Sequence, residues 1–174
     1  MFHRISIVGT IGCGKTTLAR RISEKLNIPH IELDSLHWEP NWVEALDSVF
    51  RERVTRGVRS DSWVADGNYH TVRDLVWGRA DTVVWLDYPL TTILSRLARR
   101  TAKRIFTREK LWNNNVEHVR ELFSQDSVFW WAFKTYKPRK RLYPLELSQL
   151  VYSHLAVVRL GSPRKTGKWL SALA

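Results

Sequence analysis

The 174-residue chain contains a single cysteine, Cys13. One cysteine cannot close an internal disulfide, so nothing in the sequence asks for an oxidising compartment. No apolar run reaches the ~20 residues that a membrane-crossing helix needs. Met1-Phe2-His3-Arg4 leads straight into a strand-like segment, without the apolar core of a signal peptide. The expectation is a cytoplasmic protein without a membrane partner. Internal repeats, low-complexity tracts and linkers are also missing, which points to one domain over 1–174. Acidic residues are few: 17 Asp and Glu stand against 28 Lys and Arg, for a net charge of +11. That balance favours anionic partners such as nucleotides, phosphorylated metabolites, nucleic acid or an acidic surface. Hydrophobic residues make up 44% and charged residues 26%, the mix of an ordinary folded domain rather than a disordered chain. A G-x-G-x-x-G dinucleotide fingerprint is absent. So is an Asn-Lys-x-Asp sequence to read guanine, which excludes an ordinary GTPase.

What is present begins at Gly9. Gly9-Thr10-Ile11-Gly12-Cys13-Gly14-Lys15-Thr16-Thr17 fits G-x-x-x-x-G-K-[ST]. Glycines let consecutive backbone N–H groups turn inward on an anion, and the following helix adds its positive end. Lys15 would reach the β- and γ-phosphates. Thr16 would bind Mg²⁺ through its hydroxyl, and Thr17 offers a second hydroxyl near the α-phosphate. The motif follows the apolar run Ile5–Val8. It opens a helical pattern with Leu18, Ile22 and Leu26 on one face, stopped by Asn27 and Pro29.

Strand-like runs recur at Ile5–Val8, His30–Leu33, Trp63–Ala65, Thr82–Leu86 and Leu155–Leu160, with helical patterns or loops between them. The alternation predicts an α/β fold with a doubly wound parallel sheet of about five strands, covered by helices on both faces. Ligands of such sheets bind beyond the carboxyl ends of the strands. The phosphate-loop motif follows the first strand, Asp34, Ser35 and His37 the second, Asp66, Gly67 and Asn68 the third, and Asp87 the fourth. Acidic residues beside a phosphate loop suit Mg²⁺ and phosphoryl transfer.

The stretch from Arg96 to Arg141 breaks the strand rhythm. Its thirteen Lys and Arg outweigh four Asp and Glu, so 13 − 4 gives +9 of the total charge. Arg96, Arg100 and Arg104 recur every four residues on one predicted helix face; Ile93, Leu97 and Thr101 share another. Val128-Phe129-Trp130-Trp131-Ala132-Phe133 reads as packing for this region. The alternative is a stacking platform for single-stranded nucleic acid. Trp112-Asn113-Asn114-Asn115 reads as a loop or helix end without an assigned role.

The motif, Leu33-Asp34-Ser35-Leu36-His37-Trp38, Ala65-Asp66-Gly67-Asn68-Tyr69 and Ala80–Pro89 together resemble the small adenylate-kinase-like P-loop proteins. Within them the chain resembles the DNA topology modulation (FlaR-type) set, through Phe129–Lys134 and Arg139–Tyr143 as well. Asp34-x-x-His37 is also similar to gluconate- and shikimate-type kinases. The resemblance implies a P-loop NTPase fold of the nucleoside-monophosphate-kinase type, with ATP, Mg²⁺ and a mobile helical lid. The core is expected at about 1–95 and 142–174, and the basic lid at about 96–141.

Gly9, Gly12, Cys13, Gly14, Lys15, Thr16 and Thr17 are then expected to bind ATP phosphates. Thr16 with Asp66 is expected to hold Mg²⁺; Asp87 is the rival, with helix capping as its other reading. Asp34 would orient the acceptor hydroxyl or, alternatively, cap the next helix. His37, flanked by Trp38 and Trp42, is a substrate-side candidate. Arg73 is the arginine that would grip an acceptor phosphate, although Asn68–Val72 space it differently from nucleotide kinases. Arg96 and Arg100, with Lys15, would stabilise the transferring group. Adenine would meet the loop Gly161–Arg164. These residues predict an ATP-dependent phosphotransferase acting on a small-molecule or nucleotide acceptor. The alternatives are an ATP-switched nucleic-acid-binding regulator using the basic lid, and a polynucleotide 5′-kinase.

Overall fold

The computed structural model describes residues 3–107, 112–115 and 127–173. Five strands, β1 (Arg4–Gly9), β2 (His30–Glu32), β3 (Trp63–Asp66), β4 (Thr82–Leu86) and β5 (Ala156–Leu160), form one parallel sheet in the order β2-β3-β1-β4-β5. The helices are α1 (Lys15–Leu26), α2 (Leu33–His37), α3 (Asp47–Gly57), α4 (Arg73–Trp77), α5 (Leu90–Thr107), α6 (Val128–Leu147) and α7 (Pro163–Ala172). This is the predicted α/β class, and all five predicted strands are found within a residue or two of their expected bounds.

Alternation within the strands builds the two faces. Ile5 and Ile7 of β1, Val64 of β3, and Val84 and Leu86 of β4 pack with Leu18 and Ile22 of α1 and Ile93 and Leu97 of α5. On the opposite face Val8, Ala65, Val83 and Trp85 pack with Phe50 and Val54 of α3 and Val76 and Trp77 of α4. Both faces are covered, and β4 is buried throughout. Complete burial of a side chain such as Phe50 or Ile7 contributes about 2 kcal/mol relative to exposure. Helix α1 ends at Asn27, a left-handed C-cap whose N–H donates to the Ser23 carbonyl.

Helices α5 and α6 pack against each other. Ile93, Leu97 and Thr101 are buried, and the neighbouring row Arg96, Arg100 and Arg104 is half-buried. Both helices run unbroken through positions 96 and 141, with Leu97 and Tyr143 in the core. The rest of the basic stretch, 108–111 and 116–126, lies outside the described residues. The aromatic run at the start of α6 divides. Ala132 is buried and Phe129 packs on the core, whereas Trp130, Trp131 and Phe133 are about half exposed. No helix among the described residues is long and apolar enough to cross a membrane.

Candidate active site

The loop between β1 and α1 reverses direction within a few residues. Gly12 (φ 80°) and Gly14 (φ 99°) make that turn in the left-handed region, where a side chain is disfavoured. Space forbids one as well: a Cβ on Gly12 would lie 2.4 Å from Leu97 Cγ. Gly14 caps α1 without a side-chain hydrogen bond, so the free N–H groups of the first turn face outward with the helix dipole. Lys15 Nζ arches back to the Gly9 carbonyl at 3.2 Å. Asn68, after β3, grips the loop from the other side. Its amide donates to Gly9 O at 2.6 Å and accepts from Gly9 N at 3.1 Å, and the Tyr143 hydroxyl donates to it at 2.9 Å.

Sheet order brings three polar side chains of distant origin together. Asp66 ends β3, flanked by β1 through Ile7 and by β2 through Glu32. Only 2% exposed, it accepts from Thr16 Oγ1 at 2.7 Å, and His30 Nε2 lies 2.7 Å from its other oxygen. The rival Asp87 is turned away from such a role. Its carboxylate accepts from Arg159 Nε at 2.9 Å and lies 3.6 Å from Lys140 Nζ. Those ion pairs, not a helix cap, account for Asp87. Among the described residues no cluster of three His, Cys, Asp or Glu side chains could hold a metal alone. Thr16 Oγ1 and Asp66 Oδ2 are hard oxygen donors. They fit Mg²⁺, which takes one or two protein oxygens and completes its shell with phosphate and water.

The loop forms part of a cleft of about 1330 Å³. Arg96, Arg100, Lys103 and Arg104 of α5 and Arg139 of α6 line it. Arg96 lies on the loop, donating to the Cys13 carbonyl at 2.7 Å with its guanidinium 5.1 Å from the Tyr88 ring centre. Pro163, Thr166 and Gly167 at the start of α7 border the cleft where the Gly161–Arg164 loop was expected to. Asp34, His37, Trp38, Trp42, Tyr69 and Trp112 form the remaining wall.

The sequence model of the AAA domain family (AAA_18) matches residues 5–121. The chain belongs to this family. Three further similarities agree with a kinase-like P-loop protein. A shikimate kinase of Sulfurihydrogenibium sp. (strain YO3AOP1) is 28% identical over 137 residues, 70% of this chain and 78% of that one. An adenylate kinase of Encephalitozoon cuniculi (strain GB-M1) is 27% identical over 122 residues, 59% of this chain and 69% of the other. The solved structure of shikimate kinase from Acinetobacter baumannii in complex with shikimate superposes with a TM-score of 0.57 at 19% identity, covering 99% of this chain and 93% of that one. That likeness establishes the P-loop kinase fold. None of these three relatives is described as a topology modulation protein.

Within this AAA-domain fold several expected residues need a closer account. Asp34 is not a helix cap: α2 begins at Leu33, and the Asp34 carboxylate accepts from the Tyr69 hydroxyl at 2.6 Å. Burial, then the Asp34 charge, push the Tyr69 hydroxyl far above its usual range, so it stays a donor. His37 is buried against Trp38, Phe50 and Tyr69, with Nδ1 unpartnered. The Cys13 thiol is fully buried and pushed up by that burial, so position 13 can serve only through its backbone.

Arg73 corrects the expectation. The structure does not bring it to the cleft; it pairs with Glu146 of α6 and lies 4.9 Å over the Trp77 ring. Both partners are mostly buried, so Arg73→Met strands the Glu146 carboxylate at a cost of about 3 kcal/mol. Thermal melting should show a loss of roughly 10 °C. Acceptor KM should stay within about threefold of wild type, where loss of a clamp would raise it ~100-fold or more.

His30, Asn68, Arg139 and the 112–115 segment were not assigned site roles from sequence. Arg139 Nη1 is buried without a hydrogen-bond partner. Asn115 donates to Glu39 O and accepts from Trp42 N, both at 3.0 Å, and so fixes Trp112 beside the Trp38–Trp42 loop. The only sequence signal for Asn68 was its place just beyond a strand end. His30 and the 112–115 segment had none, because each acts through a residue far away in the chain.

Proposed function

We propose that the protein is an ATP-dependent phosphotransferase whose acceptor binds at the wall formed by Asp34, Tyr69 and Trp38. One observation carries this reading: the phosphate loop, with Thr16 on Asp66, opens into the same cleft as an Asp34 carboxylate held by Tyr69. A binding-only P-loop has no need of an oriented carboxylate across the cleft. Kinase relatives support the same reading.

Backbone N–H groups of Gly12–Thr17 and Lys15 Nζ would hold the ATP phosphates, and Thr16 with Asp66 would hold Mg²⁺. The cation would offset charge on the β- and γ-phosphoryl oxygens when bound. Asp34 would orient the acceptor hydroxyl and take its proton as the oxygen attacks the γ-phosphorus. The bond to the β-phosphate bridging oxygen then breaks and ADP leaves. Arg96, by leaving the Cys13 carbonyl, and Arg100 would neutralise the transferring group. In this reading α5 and α6 carry the basic lid of about 96–141 over a core of about 1–95 and 142–174.

The test is ADP release from Mg-ATP across a panel of hydroxyl compounds, with Lys15→Ala as control. Acceptor-dependent release that falls on the order of 10³-fold in the variant is expected. Slow hydrolysis that no acceptor stimulates would contradict the proposal.

A further inference from the structure

Charge is divided across the cleft. Every carboxylate lining it among the described residues, Glu32, Asp34 and Glu44, comes from β2 and the segment after it. The cations lining it come from α1, α5 and α6. Arg53 and Arg73, which do not line the cleft, are engaged elsewhere. Arg53 pairs with Glu39 at 2.7 Å and donates to Leu36 O at 3.0 Å, and Arg73 is taken by Glu146.

The same wall is aromatic. Trp38 and Trp42 meet edge to face at 5.7 Å, and Trp42 and Trp112 at 6.2 Å. Faces of such rings attract cations. His37 lies beside them, with Nε2 3.8 Å from Glu44 Oε1. Glu32 is pushed up by burial, an effect that a hydrogen bond to Trp112 opposes; a cation beside it would favour its ionised form. An anion here would instead meet three carboxylates, and like charges brought together weaken binding.

We propose that the acceptor is a hydroxyl-bearing organic cation, an amino alcohol or aminosugar, seated between the Trp38–Trp42–Trp112 rings and the Glu32, Asp34 and Glu44 carboxylates. This rests on the kinase reading above. The ammonium keeps its charge and its place on the acidic wall. The hydroxyl oxygen forms the new bond to the γ-phosphorus, its proton passes to Asp34 and then to solvent, and ADP carries away the electron pair of the broken bond. Shikimate, the ligand in the solved relative, carries a carboxylate and would be a poor acceptor here.

The test uses the full chain and sets matched in shape but not in charge: glucosamine, glucose and glucuronate, and ethanolamine, ethylene glycol and glycolate. Shikimate is a further anion. One readout is ADP release from Mg-ATP. The other is tryptophan fluorescence during titration with Mg-ADP present, which reports binding without turnover. An amine should exceed its neutral and anionic counterparts by about tenfold in both readouts. Glu44→Lys, at a side chain 69% exposed, should abolish that preference without threatening the fold. Tighter binding or faster turnover of a neutral or anionic compound would overturn the inference, as would no saturable binding of any amine. Absence of ADP release in every arm would instead count against the kinase reading. The fluorescence order would then still decide the charge preference.

Discussion

Replacing Asp66 with asparagine should lower phosphotransfer by on the order of 10²–10³-fold while leaving the melting temperature within a few degrees of wild type. The two effects separate because of what surrounds the carboxylate. Asparagine keeps its size in a site only 2% exposed, so no cavity opens. Thr16 and His30 can each donate or accept, so an amide can satisfy both and leave no buried polar atom stranded. What disappears is the negative charge beside Thr16, where Mg²⁺ would be held. Added Mg²⁺ should therefore recover part of the lost rate. Activity within about threefold of wild type would remove Asp66 from the site and reopen the position to Asp87. Asp87→Asn is the control: it breaks pairs with Arg159 and Lys140, and should cost stability rather than turnover.

Arg139→Leu should make the protein more stable and much less active. A buried donor without a partner costs about 1–3 kcal/mol, and Arg139 Nη1 is one. Leucine removes the donor and keeps most of the packing volume, so a melting temperature several degrees higher is expected. The same guanidinium lines the cleft close enough to the phosphate loop for its charge to act on Cys13. An arginine that meets a transferring phosphoryl group contributes on the order of 10³-fold or more to kcat. Residues kept at a cost in stability concentrate where function requires them. A gain in stability with kcat/KM unchanged would show that Arg139 does not touch the reacting group. A loss of both would make it an ordinary packing residue.

These two residues also mark how far the sequence could be read. Local patterns sufficed for the phosphate loop, the five strands and the buried row Ile93–Leu97–Thr101, because spacing along the chain decides all of them. Asp66 could be singled out as a strand-end carboxylate near a phosphate loop. Sequence position favoured it over the rival Asp87, but the partners that set the two apart depend on which strands are neighbours. β2 lies beside β3 and delivers His30 to Asp66, while β5 lies beside β4 and delivers Arg159 to Asp87. Arg73 was misplaced for a similar reason: Glu146, its partner, lies 73 positions away. Arg139 looked like one basic residue among many; its place on the cleft and its buried, unpartnered Nη1 appear only in the fold.

Transfer of label from [γ-³²P]ATP tests the central claim most directly. With wild-type protein, Mg²⁺ and an amine-bearing hydroxyl acceptor, the label should appear as an acid-stable phosphate monoester on the acceptor, and Lys15→Ala should form almost none. Label recovered only as inorganic phosphate, at a rate that no acceptor changes, would contradict a phosphotransferase.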